Sequence, residues 1–376
     1  NPRPFYRDGS SNVVWLAAES WRGDTVTPEI MPDTVAFAQR SLWFKNHYSG
    51  GNSTTMGVFS MFYGLYASYW FPFLSAERSP VLIDLLQAQG YQLFVSTSAK
   101  FTFPEFDKTI WRNLPASELI EGDPELMGWQ NDRQLVDRLL RRIDERDTRH
   151  PFFAFHFFES PHSRYHFPDE CIIRRPYCEV VNYALLTRAD MPEVENRYFN
   201  SVRHLDTQIA RVIHHLEETG LLDSTIVVLA GDHGEEFMEK GRYGHHSAFS
   251  EKQTRAALIV WLPGEPPREI EELSSHSDLP ATILPRLGVT NDAADYTVGH
   301  DLAGPQRRDF VVIADWDRLC IRDDAGKGIF PLTERESFNW KVTTIDDAPS
   351  PDPDAWVSGA GAILGEVVRD QRRFTK

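Results

Sequence analysis

The chain has 376 residues, 41% of them hydrophobic, and carries 39 basic against 55 acidic side chains for a formal charge of −16. It is long enough to bury a sizeable core, as one large domain or a large domain with an appendage, and too apolar to be a disordered tail. Its charge argues against a broad electrostatic grip on nucleic acid or anionic lipid, so an anionic substrate has to be held locally, by a metal or a few cationic groups.

The opening NPRPFYRDGSS lacks the basic-then-apolar order of a signal peptide, and no stretch reaches the roughly 20 apolar residues of a membrane helix. A sequence that begins at Asn1 is expected to be a domain cut from a longer protein. Strands are predicted where apolar, β-branched runs end in turns: NVVWLAA (12–18), YQLFVSTS (91–98), PFFAFHFF (151–158), STIVVLAG (224–231) and AALIVWLP (256–263). These runs are apolar on both faces, as strands covered by helices on each side are. Helices are predicted between them. SPVLIDLLQAQG (79–90) ends on Gly90, RQLVDRLLRRIDE (133–145) puts Leu135, Leu139, Leu140 and Ile143 on one face, and a longer stripe runs from Tyr198 through Val202, Leu205, Ile209, Val212 and Ile213 to Leu216. The alternation predicts an α/β sandwich. After about residue 304 short strand-like pieces, DFVVIADW, RLCIRDD and NWKVTTID, predict a small antiparallel appendage, so the chain divides into 1–304 and a C-terminal α+β subdomain at 305–376. Of the three cysteines, Cys171 and Cys178 sit seven apart in a polar, Pro-containing loop and are expected to form a disulfide, the alternative being two surface thiols; Cys320 reads as a buried strand residue.

In open α/β sheets ligands gather at the carboxyl ends of the strands. The polar residues just beyond the predicted strands are Glu19, His162, Asp232 and His233, with His245 on a glycine-rich loop soon after. Carboxylates and imidazoles are the donors of a zinc, manganese or magnesium site. Taken singly, Asp232 could be a helix N-cap and His162 a surface loop histidine; five such residues at strand ends point to a metal site. A second stretch, HYSGGNSTTMGVFSMFYG (47–64), sets glycines, an amide and hydroxyls before an apolar helix. Helix-start amides there could receive an anion while a hydroxyl is held beside a metal, or the stretch could be no more than a capped helix.

Together ES.R.D after the first strand, GGNST before a helix, SPH after a central strand, DHGEEF, GHHS and ALIVWLPG resemble the sulfatase-like branch of the alkaline phosphatase superfamily. The resemblance is strongest to the periplasmic domain of the YejM (PbgA) inner-membrane protein family, with lipoteichoic acid synthases and lipid A phosphoethanolamine transferases as more distant relatives. It covers roughly residues 12 to 300. It implies an alkaline phosphatase-like three-layer sandwich, a mostly parallel sheet flanked by helices. It implies Glu19, Asp232 and His233 as metal ligands, with His162 and His245 facing the substrate phosphate or holding a second zinc; His246 has no counterpart. The C-x-P-S-R and S-x-P-S-R motifs of sulfatases are missing, which disfavours ordinary sulfate ester hydrolysis. Asn52 falls where the transferases carry a nucleophilic threonine, so the nucleophile is left among Thr54, Ser53 and a water, with Asn52 a substrate-binding or ligand position. The function expected from the resemblance is a metal-dependent phosphoryl-ester hydrolase or transferase. It would act in the periplasm on a lipid headgroup or envelope phosphodiester, tethered to the inner membrane by helices absent from this chain. A regulatory or lipid-binding domain with little turnover, and a sulfatase, are the alternatives; nucleic acid is not an expected partner.

Overall fold

The computed structural model describes residues 11–182, 185–332 and 340–374. The first ten residues, which carry nearly all of the stretch unlike a signal peptide, lie outside them. Strands β1 (Asn12–Ala18), β2 (Leu42–Tyr48), β3 (Gln92–Thr97), β4 (Leu119–Glu121), β5 (Phe152–Phe158) and β6 (Thr225–Gly231) are followed by a two-residue hairpin, β7 (Glu236–Phe237) and β8 (Tyr243–Gly244). Then come β9 (Leu258–Trp261) and β10 (Arg268–Ser275). The eight-stranded sheet has the order β10-β2-β9-β6-β1-β5-β3-β4. All its pairings are parallel except those of β9, which runs antiparallel to β6 and β2. The central strands β1, β5 and β6 are buried along almost their whole length, which is why they read as unbroken apolar runs.

Helices α1 (Pro32–Ala38), α2 (Thr54–Tyr63), α3 (Trp70–Ser75), α4 (Val81–Ala88), α5 (Gly128–Asp144), α6 (Met191–Glu218), α7 (Glu251–Thr254) and α8 (Asp278–Arg286) fill the connections. Strand alternation splits the core in two. Val13, Trp15 and Ala17 of β1 pack with Phe59, Phe62, Ile83 and Ile283 on the side of α2, α4 and α8. Val14, Leu16 and Ala18 pack with Val136, Val202, Leu205 and Ile209 on the side of α5 and α6. Trp15 stacks on Phe62 at 4.8 Å between ring centroids, joining the strand to the helix whose first residue is Thr54. These are the three layers the resemblance implies.

Three strands of this sheet escape the apolar-run criterion, the shortest being the three-residue β4 at one edge. β2 mixes Lys45, Asn46 and His47 with apolar residues, and β10 exposes Arg268, Glu269, Glu271 and Glu272 at the sheet edge, where charge blocks further pairing. Beyond residue 304 the antiparallel sheet β11 (Phe310–Ala314), β12 (Arg318–Asp323), β13 (Gly326–Pro331) and β14 (Lys341–Thr343) precedes α9 (Pro353–Gly359) and α10 (Gly361–Arg373). It shares core with the large sheet, since Val312, Leu319 and Trp356 fall in one apolar cluster with α2 and α4. Its edge touches the glycine-rich turn before α2, where the Ala314 amide donates to Gly50 O at 2.8 Å.

The expected Cys171–Cys178 disulfide is a correction, because both thiols are free. Cys171 is buried with Sγ 3.9 Å from His204 Nδ1, whereas Cys178 is held by its backbone, its amide donating to Glu193 O. Glu193 and His204 stand eleven residues apart on α6, about 16 Å of helix axis, well beyond the reach of one bridge. Burial pushes the Cys171 thiol up to about 11, an unreactive state. Cys320 is buried in β12, as its run predicts.

Candidate active site

Four strands, β1, β2, β5 and β6, deliver their carboxyl ends to one rim of the sheet. Beyond β1, Glu19 is buried and Ser20 takes a left-handed backbone with φ 55°. That conformation costs a non-glycine residue on the order of 1 kcal/mol, and here it aims the Ser20 amide at Asp232 Oδ1, 2.9 Å away. The His233 amide reaches the same oxygen at 2.7 Å. The other carboxylate oxygen, Asp232 Oδ2, is buried without a hydrogen-bond partner. It lies 3.4 Å from His233 Nε2, which in turn is 3.0 Å from Glu19 Oε1.

An orphaned, buried carboxylate oxygen facing a second carboxylate and an imidazole nitrogen is the donor set of a divalent cation. Glu19, Asp232 and His233 each offer one ligand atom within 4.8 Å of the others, and so do Glu19, His162 and His245. The residues therefore fit one ion or two sharing Glu19. The electrostatics point the same way. Burial raises both carboxyls, but for Glu19 the charge of His162 and the hydrogen bond from His233 outweigh it and hold the acid below the usual carboxylate range. Asp232, buried and facing Glu19, is pushed well above its usual value. Two adjacent buried acids that cannot both keep their charge unaided call for a cation between them.

All three histidines are anchored through Nδ1, leaving Nε2 for the site. His233 Nδ1 lies 2.8 Å from Gly234 O, His162 Nδ1 2.8 Å from Glu159 Oε1, and His245 Nδ1 2.7 Å from Glu235 Oε2. The rings of His162 and His245 are 5.8 Å apart, those of His233 and His245 4.4 Å. Burial alone would lower His162, yet Glu19 and Glu159 raise it to about 10.

Among the nucleophile candidates the structure separates positions 52 to 54. Thr54 Oγ1 donates toward Glu19, 3.0 Å from Oε2 and 3.2 Å from Oε1, and stands 3.5 Å from His233 Nε2. Ser53 is the residue before α2, its Oγ buried and unbonded. Asn52 turns its Nδ2 to Ala248 O at 3.0 Å, leaving Oδ1 without a partner. Asn52 thereby ties the turn to the loop that carries His245, whose next residue, His246, donates its amide to Asn52 O. The ring of the exposed His246 sits beside Trp316, outside both ligand groups.

Gly57, one turn into α2, explains how closely the helix approaches β6. A Cβ there would lie 2.1 Å from the carbonyl oxygen of Asp232, which also accepts from Ser49 Oγ at 2.5 Å. Buried His276 spans the same junction, 3.1 Å from Gly57 O and 3.0 Å from Gly231 O. Gly57→Ala is therefore expected to cost about 1–3 kcal/mol by overpacking against backbone that cannot yield. Thermal denaturation should record a lower midpoint, with weaker metal uptake because Asp232 is displaced.

Residue-type reasoning passed over Glu159 and Glu235, which stand outside both ligand groups. Glu235 is fully buried and also accepts from Tyr165 Oη at 2.5 Å and from Ser20 Oγ at 3.2 Å. The signal was present in DHGEEF, where two acids follow the ligands into a buried segment. Such partners fix tautomer and ring orientation. Glu235→Gln, which keeps one acceptor for Tyr165, should lower turnover about 10- to 100-fold while the thermal midpoint moves little.

Comparison with known proteins bears on the family and the fold. A protein-family model described as sulfatase matches residues 11–289. Inner membrane protein YejM of Salmonella typhimurium is 27% identical over 322 residues, covering 84% of this chain and 49% of that protein; the chain spans about half the length of the curated relatives it matches. Among solved structures, the phosphonate monoester hydrolase of Agrobacterium radiobacter superposes with a TM-score of 0.73 at 14% identity, covering 96% of this chain and 95% of that one. A protein in the alkaline phosphatase superfamily from Vibrio parahaemolyticus superposes with 0.70 at 18% identity, covering 100% and 90%. At these identities the structural likeness concerns the fold.

Proposed function

The chain belongs to the sulfatase family, and from that premise we propose that it is a metal-dependent phosphoryl-ester hydrolase or transferase with Thr54 as its nucleophile. The observation that carries the reading is the position of Thr54 Oγ1, within hydrogen-bond reach of Glu19 and 3.5 Å from His233 Nε2. A divalent ion held by Glu19, Asp232 and His233 would polarise a phosphoryl oxygen and favour the ionised threonine hydroxyl. Thr54 stands at the first turn of α2, whose unpaired amides favour an anion. His162 and His245 present Nε2 to the phosphate oxygens, and protonated His162 can supply the leaving group's proton. Thr54 gives up its proton to solvent, Oγ1 bonds to phosphorus, and the ester P–O bond breaks as the leaving oxygen takes the proton of His162, which solvent then restores. The phosphothreonine then passes its phosphoryl group to water or to a second alcohol.

Sulfate ester hydrolysis through a modified Cys or Ser is disfavoured, since the turn before α2 reads GGNST. The likeness to an inner membrane protein supports a periplasmic setting, with the chain tethered by helices outside it and a lipid headgroup or envelope phosphodiester as substrate. Among the described residues no helix is long and apolar enough to cross a membrane. Elemental analysis of the purified protein, with release of p-nitrophenolate from p-nitrophenyl phosphate and its bis ester, tests the reading. Bound zinc, manganese or magnesium with turnover is expected; a metallated protein inert to both esters counts against it.

A further inference from the structure

Beside the carboxylate and histidine cluster lies a cavity of about 440 Å³. At one end stand Glu19, Thr54, His162 and His245; the remaining wall is built largely from Val58, Phe101, Phe106, Trp111, Phe155 and Phe157. These side chains are buried and belong to the main core, so the wall is close-packed and apolar. Phe103, at the rim, is 81% exposed.

What the wall lacks is as telling. Outside the cluster its polar side chains are Thr97, Lys100, Trp111 and Glu159, few against the apolar surface. Thr97 Oγ1 accepts the Ala99 amide at 3.1 Å, Lys100 Nζ pairs with Glu121 at 3.1 Å, and Glu159 holds His162. A sugar or other polyol placed here would meet few side-chain partners for its hydroxyls, at a cost of about 1–3 kcal/mol for each one stranded.

We propose that the site takes phosphoesters of an unbranched alkyl chain, with the phosphate at Thr54 and the chain lying along the aromatic wall. The assignment rests on the reading of the cluster as a phosphoryl site. At about 30 Å³ per methylene-sized group, roughly the share of one water molecule, the cavity has room for about fifteen such groups, so a phosphate with an eight-carbon chain enters it whole, whereas one aryl ring would leave more of it empty.

Calorimetric binding of inorganic phosphate, methyl phosphate, phenyl phosphate and octyl phosphate to metallated Thr54→Ala protein reads chain recognition without turnover. Each buried methylene is worth about a fourfold gain in affinity, so octyl phosphate should bind at least 100-fold more tightly than methyl phosphate and clearly more tightly than phenyl phosphate. Ala99→Trp, which fills the cavity from a half-buried loop position, should cut the octyl preference below tenfold while leaving inorganic phosphate within threefold. Octyl and methyl phosphate binding within threefold of each other overturns the proposal, and so does phenyl phosphate matching octyl phosphate. Turnover by the parent is read separately. Octyl preference with no phosphate release overturns the catalytic reading and supports the chain assignment, while turnover without octyl preference does the reverse.

Discussion

Thr54→Ala is expected to lower kcat at least about a thousandfold, ~4 kcal/mol of barrier, with metal content unchanged. The reason is positional. Thr54 Oγ1 is the one hydroxyl of the Asn52–Thr54 turn that reaches Glu19, while Ser53 Oγ makes no hydrogen bond and the Asn52 amide is spent on Ala248 O. The metal donors sit on other segments, so losing the hydroxyl leaves them in place. Attack by water would give a different number, since removing one hydrogen bond costs about tenfold or less. Single-turnover kinetics with elemental analysis separate the two, and Ser53→Ala should stay close to the parent.

The second large effect is on the metal itself. Asp232→Asn keeps an oxygen to accept from Ser20 N and His233 N but replaces the orphaned Oδ2, or its partner, with a neutral donor. Metal content should fall below roughly a tenth of the parent's, because ligands must be anionic or neutral acceptors. Stability gives an independent reading. A ligand that binds only the native state adds about 2.7 kcal/mol at a hundred times its dissociation constant, so chelation should lower the parent's melting temperature by several degrees and leave the variant's unchanged. The metal-free variant should also be at least as stable as the metal-free parent, since it no longer buries two facing acids. Equal metal content in both proteins would contradict the assignment.

The features legible in the sequence were those fixed by local pattern. β1, β5 and β6 are buried on both faces and appear as apolar runs, and their ends supplied Glu19, Asp232 and His233 because a polar residue following such a run has little choice of place. β2, β4 and β10 were not legible, since the first is partly polar, the second only three residues long and the third a charged edge. Spacing suggested the Cys171–Cys178 bond, but spacing says nothing of which way a side chain faces, and Cys171 faces His204. Glu159 and Glu235 could be seen as acids but not as anchors, because their role exists only once the fold brings His162 and His245 against them. The choice among Asn52, Ser53 and Thr54 likewise needed the helix start, which turns one side chain of the three toward Glu19.

The central claim is that this cluster turns over phosphoesters when metallated. Its most direct measurement compares the fully metallated parent with a Glu19→Ala/Asp232→Ala double variant on phosphomonoesters, phosphodiesters and phospholipids, under one metal concentration. The account predicts parent turnover at least about a thousandfold above the variant on one of these classes. Rates for the metallated parent no higher than those of the double variant on every class would contradict it, and the domain would then be a binding module built on a hydrolase fold.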